Sequence, residues 1–405
     1  MRIGFNARYF YDPGLRGFNR YSFALLRALQ NIPDVETHLF SEERYPVHEL
    51  YRSALRAQVT NLAASRTLLW EQWRLPRHLK KLNLDVFHAP AEGGLPLQKV
   101  CPYVLTYHGV PDRSLASLVR SGELTGKLDT YFDSHTNNRT YVSAVFHRLR
   151  ARVFSHLYLR AADLVITVSN FSKRELVHFM GVPPEKVRVI YEAADDSFVQ
   201  PLPSEYLQQV LQKYQIPPRF VLFVGGFDKR KNVSTLLTVF ARLSAEEPDV
   251  ALVLVGIGGD IQGSREQSSS LGLREGRSVF FLQRITDREL AALYRSASLF
   301  TTLSWHEGFC LPIVEAMTCG TPVLASCFGA IAEVLGDGGW LVDPRRPQDV
   351  VERMKTILSQ SAVRDELRAR ALSRSKWFSW QKTALQTWGA YKQLCQGDQS
   401  AATYS

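Results

Sequence analysis

The runs Phe220-Val221-Leu222-Phe223-Val224 and Val250-Ala251-Leu252-Val253-Leu254-Val255 leave no polar residue for a solvent-facing side. Successive side chains of a strand point to opposite faces, so strands written this way are buried on both. A parallel sheet covered by its crossover helices meets that condition. The rest of the chain keeps to the same plan. Further strands are predicted over residues 2–7, 35–40, 85–89, 103–107, 164–168 and 187–191, with helices over 18–30 and 170–179 among them. A second series adds strands over 279–282, 299–301, 322–325 and 339–342, and Thr286-Asp287-Arg288-Glu289 has the spacing of a capping box. Between the two series, a stretch from about residue 195 to 218 holds Pro201, Pro203, Pro217 and Pro218 and reads as a link. The expectation is an α/β chain of two doubly wound domains, 1–195 and 217–376, joined by a linker at 196–216. Residues 377–405 form a closing helix and tail, with apolar residues at helical spacing from Trp377 to Leu394.

At 405 residues the chain is long enough for two cores, and 45% apolar with 22% charged residues is a globular composition. No run approaches the ~18 apolar residues of a membrane span, and the N-terminus starts directly on a strand-like run, so the expected location is the cytoplasm. The five cysteines make no C-x-x-C pair and read as reduced structural thiols. Net charge is +10, from 49 basic and 39 acidic residues, which favours anionic partners. No nucleic-acid-binding motif accompanies that charge, so no nucleic acid is expected.

His306-Glu307-Gly308-Phe309-Cys310-Leu311-Pro312-Ile313-Val314-Glu315-Ala316-Met317 puts carboxylates on either side of a glycine loop that turns into a helix. Pro312 suits a first helical position, which makes Glu307 a loop residue and Glu315 a first-turn residue. The free amides of a helix N-terminus seat a phosphate or diphosphate. Carboxylates accept the paired donors of a sugar or ribose diol. Diphosphate in the middle and hydroxyls at both ends describe a nucleotide sugar.

Val224-Gly225-Gly226-Phe227-Asp228-Lys229-Arg230-Lys231-Asn232 lies between a buried strand and a helix. Its glycines let the backbone approach a ligand, and its cations meet an anion there. Breaking a sugar–phosphate bond leaves growing negative charge on the diphosphate. No two aspartates have Asp-x-Asp spacing, so no metal site is expected and Arg230 or Lys231 is the substitute, Lys231 the stronger candidate.

The string from His306 to Met317, followed by Gly320-Thr321-Pro322-Val323-Leu324-Ala325-Ser326, Glu333 and Gly336-Asp337, resembles the donor-binding signature of family 4 glycosyltransferases. These are retaining enzymes of the GT-B fold, with two Rossmann-like domains facing across a cleft and a C-terminal helix crossing back to the N-terminal domain. The resemblance implies that Arg230 and Lys231 contact the donor diphosphate, that Glu307 holds sugar hydroxyls and that Glu315 holds the ribose diol. It implies that Gly308 belongs to the donor loop and that amides of Phe309, Cys310 and Leu311 face sugar and diphosphate. Gly17, before the first helix, matches the family's glycine loop, with Gly14 beside it, and Ile285 borders the base. His108, ending a strand, matches the histidine beside the donor sugar, with a positioning and stabilising role rather than proton abstraction. Two positions depart from the pattern. Many relatives carry Arg where this chain has Gly226, and Cys310 stands where relatives usually have Gly.

The reaction so implied is metal-independent, retaining transfer of a hexose, mannose favoured, to a saccharide or lipid-linked acceptor in surface polysaccharide or glycan biosynthesis. No cofactor is expected; the nucleoside-diphosphate sugar is a substrate, GDP-mannose favoured and a UDP-sugar the alternative. Residues 112–152 interleave Arg139, His147, Arg148, Arg150 and Arg152 with Tyr141 and Phe146, continuing to Phe154, a pattern that fits peripheral contact with an anionic membrane on its cytoplasmic face. A solvated helix with snorkelling arginines accounts for it equally. A sugar-nucleotide 2-epimerase of the same architecture and a non-catalytic nucleotide-binding scaffold are the alternative functions.

Overall fold

The computed structural model describes residues 1–11, 17–120 and 153–402. Of these, 1–11, 17–109, 153–192 and 379–402 form one compact unit, and 110–120 with 193–378 form the other.

The first unit is built on seven parallel strands: β1 (Arg2–Asn6), β2 (Glu36–Glu42), β3 (Ala57–Leu62), β4 (Val86–Ala89), β5 (Tyr103–Tyr107), β6 (Leu164–Thr167) and β7 (Val187–Val189), in the order β3-β2-β1-β4-β5-β6-β7. Six of these fall on predicted runs. β3 escaped because it is an edge strand, paired only to β2 and half exposed, so Ala57-Gln58-Val59-Thr60-Asn61-Leu62 has no need to be apolar.

The helix Trp380–Ala402 belongs to this unit and packs on the first helix, Phe18–Leu29. Ala384, Ala390 and Tyr391 enter the same core as Ile3, Phe5 and Leu25. A buried polar chain fixes the contact: His88 Nδ1 lies 2.6 Å from the Tyr391 hydroxyl, His88 Nε2 lies 2.7 Å from Thr106 Oγ1, and that oxygen lies 3.2 Å from the Tyr21 hydroxyl. Burial pushes the His88 imidazole down to about 3. The unfolded chain therefore binds a proton that the native one rejects, so the stability carried by neutral His88 is present above its ordinary 6.5 and is lost as pH falls from there toward 3. Tyr391→Phe leaves one ring nitrogen buried without a partner; a loss of about 2 kcal/mol in urea unfolding is expected.

The second unit carries six parallel strands: β8 (Phe220–Val224), β9 (Ala251–Val255), β10 (Val279–Leu282), β11 (Leu299–Thr302), β12 (Val323–Ser326) and β13 (Trp340–Val342), in the order β10-β9-β8-β11-β12-β13. β8 and β9, the runs without polar residues, lie inside the sheet and pair over their full length. The capping box at Thr286 and Glu289 is made in both directions.

Residues 196–216 are not a linker. They form the helices Asp196–Val199 and Ser204–Lys213 and belong to the second unit. Phe198 is fully buried with its ring against Tyr294, and Arg295 Nη2 donates to the carbonyls of Phe198 (2.7 Å) and Gln200 (2.9 Å). The prolines misled because Pro203 stands immediately before a helix, a place proline tolerates as readily as a linker. The second unit also keeps Phe378, whose ring meets Phe309, so the closing segment of the first unit starts at residue 379 and not at 377.

Both sheets are Rossmann-like. Strand order reverses between β1 and β4 in one and between β8 and β11 in the other, and ligands of open parallel sheets bind at the carboxyl ends of strands flanking such a reversal.

Candidate active site

In the second unit two loops leave the reversal point side by side. The loop after β8 turns through the short 3-10 helix Lys229–Lys231 to Asn232, which adopts a left-handed conformation (φ 56°) before the helix Val233–Glu246. The loop after β11 runs from Leu303 to Cys310. One backbone bond and two side-chain bonds to backbone carbonyls hold the two together: Trp305 N donates to Arg230 O (2.9 Å), Arg230 Nη1 to His306 O (3.0 Å) and Asn232 Nδ2 to Leu303 O (3.0 Å).

These ties bring three predicted residues to one place. Lys231 Nζ lies 2.6 Å from Glu307 Oε1, and Arg230 Nη1 lies 3.1 Å from Glu307 Oε2. Arg230 Nε also faces Asp228 Oδ1 at 3.4 Å. Glu307 is 7% exposed. Burial alone pushes its carboxyl up, but Lys231 and Arg230 more than reverse this and hold it at about 2. For Arg230, burial pulls the guanidinium down, while Glu307 and Asp228 raise it above its ordinary value. Residues assigned by resemblance to the diphosphate of a donor and to its sugar are here each other's partners.

Gly329 explains how Glu307 is seated. Its φ is 69°, and a Cβ there would stand 2.6 Å from Glu307 N and 2.8 Å from Glu307 O. The next residue, Ala330, donates its N–H to Glu307 O at 2.9 Å. Gly329→Ala is expected to cost about 3 kcal/mol in chemical unfolding, from a disfavoured backbone and overpacking against that loop.

The helix after this loop, Leu311–Thr318, begins one residue earlier than expected, with Pro312 in its second position. Glu315 therefore lies in the second turn rather than the first. It is buried, and its Oε2 accepts a hydrogen bond from the Tyr294 hydroxyl at 2.9 Å. Cys310 caps the helix at φ 82°, the region glycine prefers, and burial pushes its thiol up. Phe309 is buried against Phe378, and Gly308 links Glu307 to it. Gly226 lies in the loop after β8. Ile285, half-buried, follows the left-handed Arg284 (φ 53°) beyond the end of β10.

In the first unit His108 follows β5. Its Nδ1 lies 3.1 Å from Glu192 Oε1 and its Nε2 3.1 Å from Pro90 O, with the Tyr21 ring edge-on at 4.9 Å. Burial pulls the imidazole down, yet the hydrogen bond and charge of Glu192 raise it on balance. With acceptors at both nitrogens the ring is held as a double donor, which suits positioning and charge rather than proton abstraction. Gly17, at φ 44°, caps the helix Phe18–Leu29. Gly14 and residues 121–152, with most of the basic–aromatic stretch, lie outside the described residues.

Several residues here escaped sequence reasoning. Glu192 follows β7 and had no motif to mark it; Tyr294 was visible only as one more apolar helix position. At the reversal between β1 and β4, Arg8 pairs with Glu71, Tyr158 OH donates to Glu71 Oε2 at 2.5 Å, and Asn6 Nδ2 donates to Gly94 O at 2.8 Å. These polar groups come from segments up to 152 residues apart in the chain, Asn6 to Tyr158, so no local pattern announces them.

The chain matches two family models, described as "Glycosyltransferase Family 4" over residues 15–198 and "Glycosyl transferases group 1" over residues 209–374. It is 34% identical to O-antigen chain mannosyltransferase B of Escherichia coli over 241 residues, 59% of this chain and 63% of that protein. It is 32% identical to the serotype-specific mannosyltransferase WbdA of Escherichia coli over 228 residues, 55% of this chain and 28% of that protein. The chain thus spans less than two thirds of each of these relatives. Its fold is similar to that of Anabaena HepE, solved in complex with UDP and glucose, with TM-score 0.71 at 20% identity over 97% of this chain and 100% of that one.

Proposed function

We propose that this chain, which belongs to the family 4 glycosyltransferases, transfers a hexosyl group from a nucleoside-diphosphate sugar to a saccharide or lipid-linked acceptor, with retention of configuration and without a metal ion. The observation that carries this reading is the meeting of Lys231, Arg230 and Glu307 at the β8–β11 reversal, next to the N-terminus of the helix Leu311–Thr318. Two cations and a helix end supply the positive charge that a departing diphosphate needs. Without donor, Glu307 pairs with both cations. An arriving diphosphate competes for them, and the carboxylate then turns its acceptors to the sugar hydroxyls.

Mannose is favoured because the relatives described above are named mannosyltransferases. GDP-mannose is accordingly the first donor to test, with UDP-sugars second. The Glu315–Tyr294 pair would receive the ribose, and the Arg8–Glu71 pair, already neutral as a unit, would suit the hydroxyls of a saccharide acceptor better than a phosphate.

A thermal-shift screen of UDP-, GDP-, ADP- and dTDP-sugars tests the donor, since a ligand that binds only the folded state raises its apparent stability. The expected result is the largest rise with GDP-mannose, followed by transfer that survives EDTA and gives a product of unchanged anomeric configuration by NMR. No shift with any nucleotide sugar, or a rate abolished by EDTA and restored by a divalent ion, defeats the proposal. Release of an epimerised sugar without acceptor points to the epimerase instead.

A further inference from the structure

The helical stretch through Thr67–Leu69, the π turn Trp70–Arg74 and Leu75–Leu79 has two unlike faces. One is core: Trp70, Leu75, Pro76 and Leu79 are buried, and the Trp70 indole donates to Ser41 O at 3.1 Å. The other leaves Leu68, Leu69 and Trp73 exposed by 40%, 49% and 55%. Gln72 bonds Leu95 O and Leu97 N, which holds the exposed Leu97 against the same stretch.

Arg66, Arg74, Arg77, Lys80 and Lys81, all exposed, lie along the same stretch of chain or at its ends. The Arg77 guanidinium stacks over the Trp73 ring at 3.5 Å. Glu71 is the one acid between residues 66 and 81, and it is turned inward to Arg8 and Tyr158. No salt bridge among the described residues engages these five cations.

We propose that this face rests on an anionic lipid bilayer. Charge complementarity selects that occupant. Large exposed leucine and tryptophan side chains seek an apolar phase, indole favours the headgroup level, and cations along the same stretch seek lipid phosphates. Protein interfaces deplete lysine from their centres, and a nucleic acid gives leucine nothing to bury against. No helix among the described residues is long and apolar enough to cross a membrane, so the contact is peripheral. The surface differs from residues 112–152, where sequence reasoning looked for it, and the inference is independent of the donor reading.

The full chain is sedimented with vesicles of phosphatidylcholine alone and with phosphatidylglycerol mixed in. Binding to the anionic vesicles is expected to be about tenfold or more tighter and to weaken with added salt. Leu69→Ser with Trp73→Ser, and separately Arg74→Glu with Lys80→Glu and Lys81→Glu, are each expected to lower it about tenfold. The substituted positions are exposed, so the thermal midpoint without vesicles and transfer to a water-soluble acceptor are expected to stay unchanged. Equal binding of both vesicle types, or variants that bind like the natural chain, overturns the proposal, as does association with a protein but not with protein-free vesicles.

Discussion

Lys231→Ala is expected to lower kcat/KM for the nucleotide sugar by about a hundredfold to a thousandfold, the usual range for removing one group aimed at transition-state charge. The ammonium lies 2.6 Å from Glu307 and belongs to a loop whose backbone is tied to the next loop, so it reaches the leaving group already oriented. Most of the loss should appear in kcat, because negative charge grows on the diphosphate as the bond breaks. Lys231→Arg keeps the charge but replaces a compact ammonium by a planar fork, and only partial rescue is expected. Single-turnover rates with saturating donor provide the check. A rate within about threefold of the natural chain, in a variant that still binds donor, removes Lys231 from the chemistry.

Glu307→Gln tests stability as well as catalysis. A neutral amide leaves two cations together with little to balance them, and disrupting a buried ion pair in this way costs about 3–5 kcal/mol. The pH dependence carries its own sign. The Glu307 carboxyl is held at about 2 in the folded chain against an ordinary 4.5, so its contribution is fully present above 4.5 and disappears as pH falls from there toward 2. That shift corresponds to about 3 kcal/mol. Urea unfolding from pH 7 to pH 3 should therefore show a steeper acid loss for the natural chain than for the variant. Both lose stability as His88 acquires its proton, so the difference between the two curves is the quantity to measure. Parallel curves would mean that Glu307 is not ionised against its two cations. If the variant is too unstable to assay, Glu307→Asp keeps the charge while shortening the reach, and donor affinity is then the readout.

The architecture was largely legible because the information that fixes it is local. β8 and β9 announced a doubly covered parallel sheet by having no polar residue to turn outward, and Thr286 and Glu289 announced a helix start at fixed spacing. Where burial did not dictate composition, the reading failed. β3 is a half-exposed edge, and the stretch 196–216 looked like a linker although Phe198 is sealed into a core. In the candidate site the residue types were legible and the partners were not. Nothing within a window of Glu307 shows that its oxygens meet Arg230 and Lys231, 77 and 76 residues away, or that Gly329 must be small for that loop to lie where it does.

By itself the sequence determined which buried segments become strands, that both sheets are parallel, and which loops carry cations, glycines and carboxylates, since periodicity and burial act over a few residues at a time. The tertiary structure decided the partnerships: Glu307 with Lys231 and Arg230, His108 between Glu192 and Pro90, Glu71 turned to Arg8 while Trp73 on the same stretch is left outside. Electrostatic pairing depends on distance in space, and that distance is set only when strands far apart in the chain become neighbours in a sheet.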